Sequence, residues 1–230
     1  MHERNIKVSG VELPIEELHF SFIANKLRTE YGFLESSRNG VPMTKDGQVL
    51  PLYTYPCIEW IDSMDFTGCN IFEFGVGFSS LFWSQIKDAN VYGVEQQEDW
   101  FEKVGSVNDI EVYHEPESKN FIEAVHRPNI KFDVIIIDGP VRYDCVPEAI
   151  ECVADDGMII LDNSDWHQHT KERLDDSRLF IPLHFHGFKP IHVDAETTSC
   201  YLRRGFSKMP KSIIPMGGTE RSRSEVDKPL

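Results

Sequence analysis

Five short apolar or β-branched runs begin at Ile71, Val91, Ile110, Val134 and Ile159, spaced 19 to 25 residues apart. Between successive runs lies an amphipathic stretch long enough for one helix, at 79–87, 99–105, 119–125 and 145–153. Strands alternating with helices at this spacing need crossover connections, and crossovers make a parallel sheet covered by helices on both faces. The run Val134-Ile135-Ile136-Ile137 is apolar without alternation, which marks a central strand buried on both sides. Beyond the fifth strand, 190–193 and 198–202 flank a turn at 194–197 and predict an antiparallel hairpin that closes one sheet edge. Ahead of the first strand, 14–31 reads as an amphipathic helix with Leu18, Phe22, Ile23 and Leu27 on one face, and 56–63 as a second. The expected architecture is α/β: a doubly wound, mostly parallel sheet of about seven strands with a C-terminal antiparallel hairpin. A helical cap over 1–66 covers its working edge, the core spans 67–204, and 205–230, poor in apolar residues, is a loosely ordered tail.

Composition narrows the partners. The chain has 230 residues, 40% hydrophobic, enough for one real core. Its formal net charge is −15, and since 205–230 carries five basic and three acidic side chains, residues 1–204 hold −17. Such a surface repels phosphate backbones, so the expected partner is a small molecule rather than nucleic acid or an anionic membrane. No run approaches the roughly 18 apolar residues of a membrane span, and the N-terminal residues lead into no signal-like apolar core, so a cytoplasmic location is expected. The oligomeric state has no signature in the sequence. The five cysteines are an odd number with no Cys-x-x-Cys pair, which disfavours a disulfide framework and a zinc knuckle alike. Cys145 and Cys152, seven apart on an expected helix, share one face and read as buried thiols.

In an open parallel sheet, ligands sit beyond the C-terminal ends of the strands, beside the point where strand order reverses. The first strand runs out through Glu73-Phe74-Gly75-Val76-Gly77-Phe78-Ser79-Ser80. Gly75 and Gly77 permit a sharp turn and close approach of a ligand to the backbone, and Ser79 can cap the next helix. A nicotinamide dinucleotide site would want a third glycine where Ser80 stands. Glu73, buried beside the turn, suits an ammonium-bearing ligand and would repel a pyrophosphate. The second strand ends in Glu95, whose carboxylate can accept both hydroxyls of a ribose through charge-assisted bonds of about 1.5–3 kcal/mol each. With these residues, 70–203 resembles the Rossmann-like (class I) S-adenosylmethionine-dependent methyltransferases. The resemblance implies that the glycine loop lies against the amino-acid part of the cofactor, with Glu73, Gly75, Gly77, Ser79, Glu95 and Asp138 around it. It also places Trp100 and 114–117 near the adenine.

The fourth and fifth strands end in Asp138-Gly139-Pro140 and Asp162-Asn163. On neighbouring strands about 4.8 Å apart, Asp138, Asp162 and Asn163 could converge, and two carboxylates with an amide oxygen suit Mg2+ or Ca2+. The same residues equally suit a turn after Asp138 and a helix cap at Asn163 or Ser164. An Asp after one strand and Asp-Asn after the next resembles the metal-dependent O-methyltransferases of the catechol and caffeoyl-coenzyme A type. That resemblance implies a divalent ion, Mg2+, that lowers the pKa of a substrate hydroxyl. The lysine those enzymes often carry just after the first Asp is missing. Arg142 stands nearby and can orient an anionic substrate but not accept a proton. His167, five residues beyond Asp162, is then the candidate base, and Asp138, Arg142 and His167 form the expected catalytic group. Tyr31, Phe33, Tyr53 and Tyr55 are candidate lid aromatics over the acceptor. The reaction expected is methyl transfer to a small molecule; the alternatives on the same fold are a NAD-dependent oxidoreductase and a non-catalytic binding module.

Overall fold

The computed structural model describes residues 5–8, 11–107 and 109–218. A short antiparallel pair, β1 (Asn5–Val8) and β2 (Val11–Pro14), leads into α1 (Ile15–Thr29), α2 (Phe33–Asn39) and α3 (Tyr55–Asp62). The alternating core follows: β3 (Asn70–Phe74), α4 (Phe78–Gln85), β4 (Asn90–Glu95), α5 (Glu98–Gly105), β5 (Ile110–His114), α6 (Ser118–Glu123), β6 (Phe132–Ile137), α7 (Arg142–Cys152) and β7 (Val153–Leu161). The chain closes with α8 (Gln168–Asp176), β8 (Phe180–Gly187) and β9 (Glu196–Arg203). The seven-stranded sheet has the order β5-β4-β3-β6-β7-β9-β8, with β9 antiparallel to both of its neighbours. Strand order therefore reverses between β3 and β6, which pair in parallel from Ile71 opposite Val134 to Phe74 opposite Ile137.

Two apolar layers flank this sheet, and neighbouring residues on one strand feed opposite layers. Val134 and Ile136 pack with Ile71, Val91, Phe82 and Trp83 on one face. Ile135 and Ile137 pack with Phe72, Phe74, Phe121 and Val146 on the other. All four of the β6 residues are fully buried, so the absence of alternation in the sequence has its physical reason here. Helix α7 starts three residues earlier than its expected stretch and contains Pro147. Proline has no N–H for the carbonyl of Tyr143, and Arg173 supplies that bond through Nη1 at 2.9 Å.

Three elements differ from the sequence expectation. The first arm of the C-terminal hairpin is 180–187 rather than 190–193. Ile191 has φ of +71°, outside the range of a strand, and Lys189 turns inward instead of lying along the sheet. Pro182 obscures β8 in the sequence, yet it is tolerated because β8 is the edge strand. Helix α1 forms where periodicity places it, but none of its residues is buried, and Phe22 and Ile23 stay 61% and 68% exposed. Residues 205–218 are docked rather than loose. Phe206 packs on Trp60, Met64 pairs with Pro210, and Lys208 and Lys211 bond Asp133 and Asp65. The remainder of the expected tail, 219–230, lies outside the described residues. All five cysteines are buried thiols, with Cys145 and Cys152 both inside α7 as expected. No helix among the described residues is long and apolar enough to cross a membrane.

The reversal point is built by two glycines in backbone contact. Gly75 has φ of +90°, and a Cβ there would stand 2.5 Å from the Cα of Gly139, just past β6. Its own N–H is held by the carbonyl of Val94 at 2.9 Å. Gly75→Ala combines a disfavoured φ with an overpacked backbone crossing, and should lower stability by about 3 kcal/mol. Urea unfolding followed by circular dichroism measures this, and a loss under about 1 kcal/mol would mean the two loops can separate freely.

Candidate active site

Between the glycine loop after β3, the end of β4 and the loop after β6 lies a cavity of about 500 Å³. Gly75, Gly77, Ser79, Glu95, Asp138 and Arg142 line it, together with Leu52, Trp100 and residues of the intervening loops. Of the six residues expected around a cofactor, five thus share one hollow. A Cβ at Gly77 would meet nothing within 4 Å, so this bend presents bare backbone to open space. Glu95 is 5% exposed, and its Oε1 accepts the backbone N–H groups of Gln96 at 2.9 Å and Gln97 at 2.8 Å. The carboxylate is thereby fixed in direction, with its second oxygen free of protein donors among the described residues. Trp100 stands edge-on to Phe78, ring centroids 5.3 Å apart, and forms part of the cavity wall. Residues 114–117 are not in that wall; Glu115 pairs with Arg127 instead.

Glu73 departs from the expectation of direct ligand contact. It is fully buried beneath the loop, and its two oxygens accept the hydroxyls of Ser79 and Ser80 in the first turn of α4. Burial pushes its carboxyl up to about 8, with the two serines pulling the other way and Asp138 and Glu95 adding to the rise. Glu73 therefore holds the turn together through the two serines and is turned away from the ligand space. Ser80, where a nicotinamide site would want glycine, also accepts the N–H of Gly77 at 3.2 Å.

Arg142 departs too. Its guanidinium donates to the carbonyls of Gly139 at 3.1 Å, Asp138 at 2.9 Å and Asp162 at 2.5 Å, and to the Asp138 carboxylate at 2.8 Å. With four of its five N–H donors committed to the chain, it clamps the loop after β6 to the end of β7. Burial and then the neighbouring Asp162 raise the Asp138 carboxyl to about 7, against the pull of Arg142 and Lys189. On the far side of the clamp a second hollow of about 340 Å³ shares Gly139, Pro140 and Arg142 with the first. Tyr143, Trp166, His167 and His169 line it. Partial burial and the nearby Arg142 lower the His167 imidazole below its ordinary 6.5, with Asp165 opposing. Asp138, Arg142 and His167 are thus brought to one junction between two hollows.

The expected metal ligands do not fit an ion. Asp162 is 2% exposed, its Oδ1 accepts the Thr198 hydroxyl at 2.6 Å, and its Oδ2 faces the Lys189 ammonium at 3.7 Å. Asn163 gives its amide N–H to Glu196 at 2.5 Å, and Glu196 is itself ion-paired to Lys189. Asp138 is engaged by Arg142. The three residues are therefore spoken for by side chains, two of them cationic. Among the described residues, the one His/Asp/Glu/Cys group with metal-like spacing is His126, Glu148 and Glu151, at the opposite edge of the sheet.

The expected lid aromatics are dispersed. Tyr53 and Tyr55 are core residues at 1% and 3% exposure, and Tyr31 packs edge-on against Tyr55 at 4.9 Å. Phe33 packs against the same core. Leu52 is the residue of this segment that reaches the cavity. Sequence reasoning missed Leu52, Lys189, Glu196 and Thr198; a buried lysine before a proline at a hairpin turn gives no local periodic signal.

No protein-family model matches the sequence, and no curated protein does. Solved structures share the fold. An O-methyltransferase from Bacillus cereus in complex with SAH superposes with a TM-score of 0.51 at 14% identity, covering 80% of this chain and 91% of that one. A precorrin-6y C5,15-methyltransferase from Geobacter metallireducens gives 0.49 at 11% identity over 73% of this chain and 96% of its own. An rRNA methylase from Streptococcus thermophilus gives 0.44 at 10% identity over 63% and 92%. At such identities the likeness is one of fold. Strand order, the antiparallel β9 and the first of these superpositions agree that this chain has the Rossmann-like, class I fold of the S-adenosylmethionine-dependent methyltransferases.

Proposed function

We propose that the protein is an S-adenosylmethionine-dependent methyltransferase acting on a small-molecule acceptor. The observation that carries this reading is the cavity at the strand reversal, where bare backbone at Gly77 and the oriented Glu95 carboxylate face one space. Its volume of about 500 Å³ is within the range of small-molecule and cofactor sites. The cofactor, when bound, supplies a methyl group already activated on a sulfonium sulfur. Glu95 would hold the ribose hydroxyls through its free oxygen, Trp100 would offer an aromatic face to the adenine, and Gly75 and Gly77 would let the methionyl part lie along the backbone. Glu73 and Ser79 would act through the loop, keeping its turn closed.

The acceptor would lie in the adjoining hollow, between Tyr143 and Trp166, with its nucleophilic atom directed across the shared wall at Gly139 and Pro140. Alignment of the two reactants is the main task of the protein, and can supply about 7–11 kcal/mol of barrier reduction. Where the acceptor is a hydroxyl or an amine, an unprotonated ring nitrogen of His167 takes its proton; the lowered imidazole pKa keeps that nitrogen free at neutral pH. Asp138, fixed by Arg142, borders the first hollow and would hold the loop between the two in place. The high negative charge supports a neutral or cationic small acceptor over a polynucleotide. A helical cap before residue 67 and a cytoplasmic location complete the proposal.

Two measurements test this. Calorimetric titration should show S-adenosylhomocysteine binding one-to-one and NAD not binding, and Glu95→Ala should weaken the adenosyl ligand by about 1.5–3 kcal/mol, roughly ten- to hundredfold. Unchanged affinity in that variant would remove the ribose assignment, and NAD binding would favour an oxidoreductase. Once an acceptor is found, kcat/KM should rise with pH through a midpoint below 6.5, since the base works unprotonated and its pKa is lowered. His167→Gln should abolish that limb and lower the rate by about 10²–10⁴-fold; a limb that persists in the variant would assign the base elsewhere.

A further inference from the structure

We propose that Lys189 is a built-in cation at the acceptor edge, standing where a divalent ion would otherwise bridge Asp162 and Glu196. Four observations converge. Lys189 is 4% exposed, although lysine is almost never buried without a partner. Its ammonium pairs with Glu196 and stands 3.7 Å from Asp162 Oδ2, and both acids are 2% exposed. Asn163 completes the group by donating to Glu196 at 2.5 Å. Two buried carboxylates flanking one cation make a hard-donor pair of the kind that binds Mg2+ or Mn2+, with the ammonium between them.

The cluster is tied to the rest of the edge. Asp162 Oδ1 accepts the Thr198 hydroxyl at 2.6 Å, and Thr198 Oγ1 in turn accepts the backbone N–H of Thr54 at 3.0 Å. Leu52, two residues away, reaches the cofactor-sized cavity. His192 faces the other oxygen of Glu196 at 3.5 Å. Lys189 is accordingly a positioning residue: it neutralises the end of β7 and the start of β9, and through Thr198 it fixes the segment before α3. Its functional consequence, that acceptor activation proceeds through protein groups without a divalent ion, rests on the methyl-transfer reading; the cation assignment does not.

The test is a titration with MnCl2 followed by electron paramagnetic resonance, in a His126→Ala background that removes the surface His126–Glu148–Glu151 group. The parent should bind no stoichiometric Mn2+ up to the millimolar range. Lys189→Ala vacates the central position and leaves two acids without a cation, so it should bind one Mn2+ at least about tenfold tighter than the parent. Adding Asp162→Asn should abolish that gain, whereas a merely structural lysine would give no gain to abolish. A one-to-one Mn2+ site in the parent that disappears with Asp162→Asn, or a folded Lys189→Ala with no gained site, overturns the proposal. If Lys189→Ala does not fold, Lys189→Met, which keeps the apolar stem and removes the charge, is titrated in its place, with the same gain expected and its absence overturning the proposal. S-adenosylhomocysteine titrated into the parent reports separately on the cofactor reading, so a failure of one inference is not mistaken for a failure of the other.

Discussion

The structure depends on neutralising buried acids at one sheet edge. Glu73, Glu95, Asp138, Asp162 and Glu196 all lie at or near the C-terminal ends of β3, β4, β6 and β7 or the start of β9. An isolated buried carboxylate costs several kcal/mol in lost hydration, and like charges near one another add to it. The chain meets this constraint in different ways at successive positions. Glu73 accepts the hydroxyls of Ser79 and Ser80, Glu95 is held by two backbone N–H groups, Asp138 is paired with Arg142, and Asp162 shares Lys189 with Glu196. Each solution also fixes a loop: the glycine turn, the β4–α5 connection, the β6–α7 turn and the β8–β9 hairpin.

That coupling explains why the edge is rigid on one side and open on the other. The groups that neutralise charge are spent on the protein itself, and Arg142 shows this most clearly, since its bonds all end on the chain. The groups left facing open space are few: the backbone at Gly77, one oxygen of Glu95, and the rings of Trp100, Tyr143, Trp166 and His167. The first hollow, with one oxygen of Glu95 unpaired among the described residues and Trp100 in its wall, suits a ligand with a pair of hydroxyls beside an aromatic ring.

Much of this was legible in the sequence, and the reasons for the rest are physical. Strand rhythm located β3 through β7 because β3, β6 and the second half of β7 are buried on both faces and read as apolar runs, while the edge strand β5, with only Ile110 buried, is marked by its spacing. Glycine spacing located the reversal because only a residue without Cβ permits the Gly75–Gly139 contact. The acids at strand ends were legible as candidates, but their directions were not. Whether Glu73 faces a ligand or Ser79 depends on which layer its side chain joins, and Glu73 shares the face of Ile71, under α4. The position of β8 was hidden by Pro182 and two histidines, and with it the turn that carries Lys189. A residue 27 positions beyond Asp162 enters the cluster through tertiary folding alone, and no local pattern encodes it.

The placement of Lys189 also bears on how a metal-like arrangement of residues should be read. Asp138, Asp162 and Asn163 occupy strand ends that bring hard donors together, and on sequence spacing the set invites a divalent ion. What decides between an ion and a side-chain cation is whether a basic residue can reach the same point from another element. Here the β8–β9 turn delivers one from the far edge of the sheet and buries it to 4% exposure between the two acids. The ammonium carries one charge against two acids, so the cluster keeps a residual negative field, consistent with Asp162 raising the carboxyl of neighbouring Asp138. Asp138 in turn lines the cofactor-sized hollow, so the identity of that buried cation reaches the site through electrostatics and through the Thr198–Thr54 link rather than by contact.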